Sequence, residues 1–514
     1  MSAAWRLAGL DEPAVARLAE LVALKVRPGD AILLEGDLGA GKTTLARALI
    51  RALLGDAEAE VPSPTFPIVQ PYATPRLPVA HFDLYRLSGA AELAEVGFDE
   101  AVATGAVIVE WPGRAADAMP ADRITIVIAE GSSPDTRDVT LSAEGGAAER
   151  LARLKVIARF LAGAVPGGAR PDRIGYLQGD ASTRSYARVE AGGTSFVLMD
   201  APRMPDGPPV RNGLPYSRIA RLAEDVRPFV AIDAALGQAG ITVPTLYAAD
   251  LEAGLLLLED LGDLTFGRAL AAGLPQERLW AAAVDLLVKL RRSPLPELLP
   301  LPDGSTYRLP RFGRAALEIE LNLILDWYWP EVKGAPAGDD VRAAFMALWT
   351  PVLDRLLAEP PGIFLRDFHS PNLFWLPERE AGSRVGVIDF QDALAEPWAL
   401  DLVSLLQDAR LDVPAALEAR ERARYLDEVA RTEPDHDRER FLAAYAAFGA
   451  QRNTRLIGLW VRLLRRDGKP GYLRHMGRTW DYLGRNLAHP ELSALRTWYE
   501  QHFPAEVRQR PIVP

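Results

Sequence analysis

Two phosphate-handling motifs lie more than three hundred residues apart in this chain, and together they constrain its fold more than any other feature. The first is the segment GDLGAGKT at residues 36–43, which fits the G-x-x-x-x-G-K-[ST] phosphate loop. In the second motif, Asn372 follows Asp367 by five residues, and Asp389 comes after an apolar stretch. This is the layout of a kinase catalytic loop and its metal-binding aspartate. The motifs belong to unrelated folds, so the sequence predicts two ATP-using modules.

The length and composition are consistent with a globular protein of several domains. A chain of 514 residues suits two or three domains, and a hydrophobic content of 49% is ordinary. Cysteine is absent, which excludes disulfides and thiolate metal sites. The N-terminus lacks a signal-peptide pattern, and no apolar run has the length of a membrane helix. We therefore expect a cytoplasmic protein without a membrane partner.

The negative charge is concentrated in the front of the chain. Residues 1–150 contain 13 Lys and Arg against 22 Asp and Glu, a net charge of -9 out of -11 for the whole chain. Nonspecific affinity for nucleic acid comes from basic groups. If the front module serves RNA chemistry, we expect it to meet the RNA only indirectly, through a partner protein.

Alternating strand and helix patterns predict a mostly parallel α/β sheet in the front module. Predicted strands at residues 31–35, 79–84, 106–110 and 124–128 alternate with predicted helices at 13–24 and 43–54. We expect the P-loop domain at 1–147 and a helix with a Pro/Gly linker at 148–171. A β-rich N-lobe at 172–262 and a helical C-lobe at 263–514 follow. The predicted fold is an α/β P-loop NTPase domain followed by an α+β bilobal kinase-like domain.

The phosphate loop supplies the first set of candidate site residues. Glycines let successive backbone N–H groups point at phosphates, and the helix that follows adds its positive end. Lys42 would reach the β- and γ-phosphates, and the Thr43 hydroxyl would coordinate Mg²⁺. The residues that we expect to bind the nucleotide here are Gly36, Gly39, Gly41, Lys42, Thr43 and Thr44.

Five motifs of the front module together resemble the TsaE family, the bacterial ATPase component of the tRNA threonylcarbamoyladenosine system. They are the phosphate loop, SPTF at 63–66, HFDLYRL at 81–87, EVGFDE at 95–100 and VIVEWP at 107–112. The resemblance implies that Asp83 and Glu110 form the Mg²⁺-binding and water-activating acidic pair and that Trp111 borders the nucleotide. It also implies threonylcarbamoyl-transferase complex proteins as partners. A non-catalytic, nucleotide-dependent assembly switch is the alternative.

The second motif supplies the residues for phosphoryl transfer. Asp367 is placed to orient the attacking hydroxyl, while Asn372 and Asp389 are candidate Mg²⁺ ligands. With PWALDL at 397–402, this set resembles the aminoglycoside-phosphotransferase superfamily, where an Asp at the position of Asp401 supports the catalytic loop. Leu365 replaces the usual histidine, and His369 is expected to pack within the loop.

Further segments resemble the AmgK-type kinases of N-acetylmuramate and N-acetylglucosamine, which phosphorylate the anomeric hydroxyl during peptidoglycan recycling. These segments are GDASTR at 179–184, LMDAP at 198–202, LLEDLG at 257–262, DWY at 326–328, DFQD at 389–392 and RDGKPG at 466–471. Met199 stands where a third-strand lysine is expected, so Arg184 or Arg188 could supply the cation. The resemblance makes Glu259 to Leu261 the hinge that meets adenine.

Sugar recognition needs an aromatic face and polar groups for the hydroxyls. The candidates are Glu320, Asp326, Trp327, Tyr328, Arg452 and Asn453. The aromatic ones could equally belong to the core. An aminoglycoside, choline or homoserine substrate is the alternative within the kinase class.

Overall fold

The computed structural model describes residues 4–87, 89–177, 184–211, 213–293, 296 and 298–513. The segment 179–183 of the GDASTR motif lies outside these residues. The chain forms two compact units. The first comprises Met1–Arg203 with Thr245–Asp260, and the second comprises Met204–Pro244 with Leu261–Pro514.

A seven-stranded sheet forms the framework of the front module. Its strands are β1 (Trp5–Leu10), β2 (Ala31–Glu35), β3 (Val69–Ala73), β4 (Pro78–Asp83), β5 (Ala106–Glu110), β6 (Arg123–Glu130) and β7 (Arg137–Glu144), in the order β1-β7-β6-β2-β5-β4-β3. The strands β2, β4, β5 and β6, which the sequence patterns predict, form the parallel centre. The remaining three pairs are antiparallel, so the sheet is mixed and the expectation of a mostly parallel sheet was wrong at its edges.

The helices of the front module are α1 (Glu12–Ala23), α2 (Lys42–Leu54), α3 (Ala90–Glu95), α4 (Phe98–Thr104) and α5 (Ala147–Ala164). Asp11 caps α1 by accepting the N–H of Ala14 at 2.8 Å, which satisfies one of the free donors of the first turn. α2 begins directly in the phosphate loop and ends at Gly55, whose left-handed φ of 72° stops the helix. The helices predicted at residues 13–24 and 43–54 therefore occur within one residue of their expected ends, and α5, which begins one residue earlier, lies in the segment 148–171 where a helix and linker were expected.

A five-stranded antiparallel sheet follows α5 in the same compact unit. The strands β8 (Arg173–Leu177), β9 (Ser185–Ala191) and β10 (Thr194–Asp200) join β13 (Leu246–Asp250) and β14 (Leu255–Glu259) in the order β13-β14-β10-β9-β8. One apolar core contains residues of α1, α2 and α5 together with alternate residues of this sheet. The front module and the five-stranded sheet therefore share their packing.

The second unit is predominantly helical. It contains the short strands β11 (Pro209–Arg211), β12 (Leu214–Pro215), β15 (Leu298–Pro300), β16 (Thr306–Arg308), β17 (Gly362–Phe364), β18 (Leu373–Trp375), β19 (Val385–Val387) and β20 (Leu394–Glu396). Its helices are α6 (Tyr216–Ala220), α7 (Arg227–Gln238), α8 (Phe266–Ala271), α9 (Gln276–Arg292), α10 (Arg314–Leu323), α11 (Trp329–Lys333), α12 (Asp339–Leu357), α13 (Ala399–Leu406), α14 (Ala415–Ala430), α15 (Arg438–Arg465), α16 (Met476–Leu487), α17 (Ser493–His502) and α18 (Ala505–Arg508). The pairs β17–β20 and β18–β19 bracket the loop that carries Asp367.

Within the described part of the chain, every helix is too short or too polar to span a lipid bilayer.

Candidate active sites

The phosphate loop joins β2 to α2 and depends on glycine at two positions. Gly36 has a φ of 145°, and a Cβ atom there would lie 2.3 Å from the carbonyl oxygen of Ile128. Gly41, with a φ of 107°, precedes the first residue of α2. Side chains at these positions would clash or be strained, so the loop conformation requires glycine. Gly39 and Thr44 lie in the same strand-loop-helix segment, as the sequence predicted.

Lys42 lies at the centre of this loop. Its ammonium group donates hydrogen bonds to the carbonyl oxygens of Gly36 and Asp37, both at 2.8 Å. The ammonium also lies 3.6 Å from the centroid of the Trp111 ring. Burial lowers the pKa of Lys42, while the negative charges of Glu110 and Asp83 oppose that shift. Trp111 therefore lies beside the lysine of the phosphate loop.

The two acidic residues end neighbouring parallel strands. Asp83 on β4 is in register with Glu110 on β5, so both carboxylates lie at the same edge of the sheet. The Thr43 hydroxyl donates to Glu110 Oε2 at 2.9 Å. Asp83 accepts from the Thr65 hydroxyl at 3.3 Å and from the backbone of Tyr85 at 3.1 Å. The structure thus brings Thr43 and both predicted acidic residues together.

His81 is a member of this cluster that the sequence reasoning did not single out. It lies on β4 two residues before Asp83, is fully buried, and its Nε2 is 3.0 Å from Glu110 Oε1. Since Thr43 and His81 contact different oxygens of Glu110, that carboxylate is held from both sides. The period-two alternation of β4 places His81 and Asp83 on one face, which is the signal that could have found it.

The catalytic-loop candidate follows β17 and is anchored by Asp401 on α13. The Asp401 carboxyl accepts the backbone N–H groups of Leu365 at 2.7 Å and Arg366 at 3.2 Å. Burial raises the pKa of Asp401 to about 8, and the two backbone donors partly offset that rise. Arg366 has a left-handed φ of 73°, a conformation that costs energy in a non-glycine residue and needs such anchoring. The loop shape therefore depends on Asp401.

Three predicted residues converge in this loop. The side-chain amide of Asn372 donates to the carbonyl oxygen of Asp367 at 3.0 Å and lies 3.4 Å from Asp389 Oδ2. Asp389 has a left-handed φ of 62° and accepts from Gln391 at 2.7 Å on its other oxygen. The structure thus gathers Asp367, Asn372 and Asp389 at one place, although seventeen residues separate the last two.

Basic residues of the loop itself and of distant parts of the chain favour the ionised form of Asp367. Burial would raise the pKa of Asp367, but the positive charge of a protonated His369 and the guanidinium groups of Arg366, Arg455 and Arg410 outweigh burial and lower it. An ionised carboxylate at neutral pH can accept the proton of a hydroxyl group. Arg410, Arg452 and Arg455 come from outside the loop, and no motif in the sequence had linked Arg410 or Arg455 to Asp367.

His369 is buried in the same cluster. Its Nδ1 lies 3.1 Å from the Asp367 carbonyl oxygen, and its Nε2 contacts the guanidinium group of Arg410. Burial lowers the pKa of His369 to about 4. A neutral imidazole that donates from Nδ1 and accepts at Nε2 satisfies both contacts. This placement agrees with the expected packing role of His369 within the loop.

The residues that we expected around the kinase nucleotide lie on or next to the five-stranded sheet. Arg184 directly precedes β9, and Arg188 within β9 forms an ion pair with Asp260 at 2.6 Å. Met199 on β10, at the position of the expected lysine, is buried.

The hinge candidates follow β14. Glu259 ends β14, where its backbone N–H donates to the Thr245 carbonyl oxygen at 2.8 Å. Leu261 belongs to the second unit, where it lies beside Gly386.

The sugar candidates fall into two groups. Glu320 accepts from Gln451 at 2.9 Å and pairs with Arg455 at 3.4 Å, so it belongs to the cluster around Asp367. Arg452 joins that cluster through its charge interactions with Asp408 and Asp367. Asp326 and Trp327 instead lie on the π-helical turn Ile324–Tyr328. There Asp326 pairs with Arg342 at 2.7 Å.

Two further sugar candidates have mainly structural surroundings. Asn453 is fully buried, and its amide donates to Gln407 Oε1 and the Gly449 carbonyl oxygen, both at 2.8 Å. Tyr328 is buried and packs against Trp480 and Phe503, with ring centroids 5.5 and 5.3 Å away. These placements favour roles within the core over direct contact with a sugar.

The donor atoms at both sites suit Mg²⁺, which prefers oxygen ligands. Thr43 and Glu110 offer a hydroxyl and a carboxylate in one hydrogen bond, and Asp83 offers a second carboxylate at the neighbouring strand end. Asn372 and Asp389 offer an amide and a carboxylate oxygen on adjoining side chains. Both sets therefore fit a magnesium-nucleotide ligand.

A phosphate loop backed by a paired acidic edge defines an ATPase, and an anchored Asp-Asn-Asp loop defines a phosphotransferase. A family model described as "Threonylcarbamoyl adenosine biosynthesis protein TsaE" matches residues 10–139, and one described as "Phosphotransferase enzyme family" matches residues 174–442. The chain belongs to the phosphotransferase enzyme family and carries a TsaE domain in front of the kinase domain. It is an enzyme with phosphotransferase and ATP hydrolase modules.

Individual relatives agree with this division. The N-acetylmuramate/N-acetylglucosamine kinase of Caulobacter vibrioides is 38% identical over 380 residues, which cover 72% of this chain and 100% of the relative. The tRNA threonylcarbamoyladenosine biosynthesis protein TsaE of Rickettsia felis is 41% identical over 101 residues, which cover 20% of this chain and 58% of the relative. Among solved structures, YdiB of Bacillus subtilis is 32% identical with a TM-score of 0.25, and it covers 30% of this chain and 94% of its own.

Replacing Asp401 by alanine tests the anchoring of the catalytic loop. Asp401→Ala leaves two buried backbone N–H groups without acceptors, and each costs about 1–3 kcal/mol. We expect a lower free energy of unfolding in denaturant titrations and loss of phosphoryl transfer. Asp412→Ala is the control, because that side chain is 70% exposed. Equal unfolding midpoints for the two variants would contradict this role of Asp401.

Proposed function

We propose that the kinase domain transfers the γ-phosphoryl group of ATP to the anomeric hydroxyl of N-acetylmuramate or N-acetylglucosamine, in the recycling of cell-wall sugars. The observation that carries the proposal is the ionised Asp367 held beside Asn372 and Asp389. The acceptor is taken from the relatives whose names specify these sugars, among them the kinase that is 38% identical.

In this proposal, the chain's residues position the reactants and do little covalent chemistry. Asp367 accepts a hydrogen bond from the attacking sugar hydroxyl and takes up its proton as the phosphoryl group is transferred. Asn372 and Asp389 would hold Mg²⁺, which neutralises charge on the phosphates when it is bound. Arg366 and Arg455 keep Asp367 in its proton-accepting form.

For the nucleotide of the kinase, Arg184 and Arg188 are the proposed phosphate contacts, since Met199 carries no charge. Arg188 would have to exchange Asp260 for a phosphate group. The backbone from Glu259 to Leu261 is the proposed adenine hinge. For the sugar, Glu320 and Arg452 are favoured because both belong to the cluster around Asp367. Asp326 and Trp327 remain proposed contacts with the sugar.

A substrate screen tests the choice of acceptor. Purified full-length protein is incubated with ATP and with N-acetylmuramate, N-acetylglucosamine, kanamycin, choline or homoserine, and ADP release is measured for each. We expect the two amino sugars to give the highest kcat/KM. A higher value for a cationic substrate would move the protein to the alternative kinase class.

For the front domain, we propose an ATPase that supports threonylcarbamoyladenosine modification of tRNA. Lys42 would hold the β- and γ-phosphates against the backbone of Gly36, Gly39 and Gly41. Thr43 and Asp83 would hold Mg²⁺, and Glu110 would orient the attacking water molecule. Its contacts with Thr43 and His81 fix that carboxylate in place. The proposed boundaries of this domain are residues 1 and 147.

Without partner proteins, we expect this chain to bind tRNA weakly, because residues 1–150 carry a net charge of -9 and the whole chain one of -11. Its role in tRNA modification would then need threonylcarbamoyl-transferase complex proteins as partners. Filter binding of labelled tRNA to the full-length protein at two salt concentrations measures this affinity. Tight binding at low salt that collapses at high salt would place tRNA directly on the protein and contradict the proposal.

A further inference from the structure

One face of the five-stranded kinase sheet is covered by α1 and α2 of the ATPase domain and by the connecting helix α5. Alternate residues of the sheet lie in the same apolar core as α1, α2 and α5, which is the pattern of a sheet packed on one face. The residues are Ile174 on β8, Ala187, Val189 and Ala191 on β9, Phe196 and Leu198 on β10, and Leu255 and Leu257 on β14. The predicted Pro/Gly linker thus follows a helix that is built into this core.

A buried ion cluster fixes two strands of this sheet. Asp200 ends β10, is 3% exposed, and accepts from Arg153 of α5 at 2.9 Å. Lys25, just after α1, pairs with the same carboxylate and donates to the Ser185 hydroxyl at 2.9 Å. Ser185 begins β9 and is in register with Asp200. Lys25 and Arg153 therefore hold the open end of the β9–β10 hairpin.

The edge strand β8 has its own contacts with the ATPase domain. Glu20 of α1 accepts the backbone N–H of Ile174 at 2.7 Å. Arg76 donates to the carbonyl oxygens of Ala23 and Val26 at 2.7 and 2.8 Å, and its guanidinium group lies 4.1 Å from the Tyr176 ring centroid. These contacts add hydrogen bonds and stacking to the apolar packing.

The other face of β9 and β10 carries Arg188 and Met199, the two strand positions that we expect to lie near the ATP of the kinase. Arg188 alternates with Ala187 and Val189, and Met199 alternates with Leu198 and Asp200. The covered face thus determines the position of the backbone from which Arg188 projects.

We propose that the ATPase domain is a fixed part of the kinase's nucleotide-binding sheet and that Lys25, Arg153 and Asp200 are positioning residues for ATP binding by the kinase. This rests on the proposed kinase function. Losing one partner leaves a buried charge uncompensated and loosens the hairpin that it holds. Binding of ATP should suffer first, because the phosphate contacts project from that hairpin.

Steady-state kinetics of the full-length protein test this proposal. In Asp200→Asn and in the double variant Lys25→Met/Arg153→Leu, we expect the kinase KM for ATP to rise about tenfold, equivalent to ~1.4 kcal/mol. The kcat and the KM for the sugar should change less than twofold. Arg159→Leu is the control, since Arg159 is exposed on the same helix. Lys25→Arg should retain the wild-type KM for ATP. A KM for ATP in both test variants equal to that of the control would overturn the proposal.

Hydrogen exchange provides a readout that does not depend on the sugar reaction. Amides of β9 and β10 should exchange faster in Asp200→Asn than in Arg159→Leu, and equal rates would overturn the proposal. A wild-type protein without sugar kinase activity would contradict the proposed function, whereas the exchange result would still decide the positioning role. If the double variant does not fold, Lys25→Met, which keeps Arg153, serves for the same comparison.

Discussion

Asp367→Asn is expected to lower sugar phosphorylation by about 10³-fold, within the range that a positioned proton acceptor contributes. The asparagine keeps the size of the side chain but cannot take up the hydroxyl proton at neutral pH. The KM for ATP should stay within about twofold, because Asp367 orients the hydroxyl and does not hold the nucleotide. The measurement is the initial rate of ADP release with N-acetylglucosamine, after subtraction of the rate without sugar.

The control for this variant is Asp412→Asn, which removes a carboxylate from an exposed position. Its rate should equal that of the wild type. If Asp367→Asn keeps more than about one tenth of the wild-type kcat, Asp367 is not the proton acceptor of the proposed reaction.

Lys42→Ala is expected to reduce ATP hydrolysis by the front domain by about 10²-fold or more, since one charged donor to a developing negative charge has an effect of this size. Lys42→Arg is the matched comparison. It keeps the positive charge, but its planar guanidinium group does not reproduce a compact ammonium that bonds two carbonyl oxygens 2.8 Å away. We therefore expect both variants to be impaired.

Hydrolysis by the front domain is measured without sugar, in an Asp367→Asn background, so that the kinase contributes no turnover. Wild-type hydrolysis in Lys42→Ala would show that the phosphate loop does not turn over ATP. That result would favour the alternative in which the front domain is an assembly switch.

Local motifs predicted which of the proposed phosphate and metal residues lie together, because the proposed chemistry fixes their spacing. The phosphate loop, Asp83 with Glu110, and Asp367 with Asn372 and Asp389 were each expected together, and each set lies together. The arginines around Asp367 were harder to predict. Arg410, Arg452 and Arg455 come from segments far from residue 367, and only tertiary packing brings their charges to it.

The fold, too, was predictable where local sequence patterns decide it and not where long-range packing does. Buried parallel strands such as β2 and β5 are continuous apolar runs, and the sequence identified them. The antiparallel strands β1, β3 and β7, which lie outside the parallel centre of the sheet, are half exposed, so their patterns are weaker. The shared core between α5 and the kinase sheet depends on packing across the predicted linker, which local composition does not encode.

The central claim is that the kinase domain phosphorylates the anomeric hydroxyl of an amino sugar. This claim is tested most directly by following the reducing ends of N-acetylglucosamine while ATP is consumed, because a phosphate on the anomeric oxygen removes the reducing end. The account predicts the loss of one reducing end for each ADP formed in excess of the ADP that the front domain forms without sugar, and no such loss with Asp367→Asn. ADP formation that depends on the sugar while all reducing ends remain would place the phosphate on another hydroxyl and contradict the account.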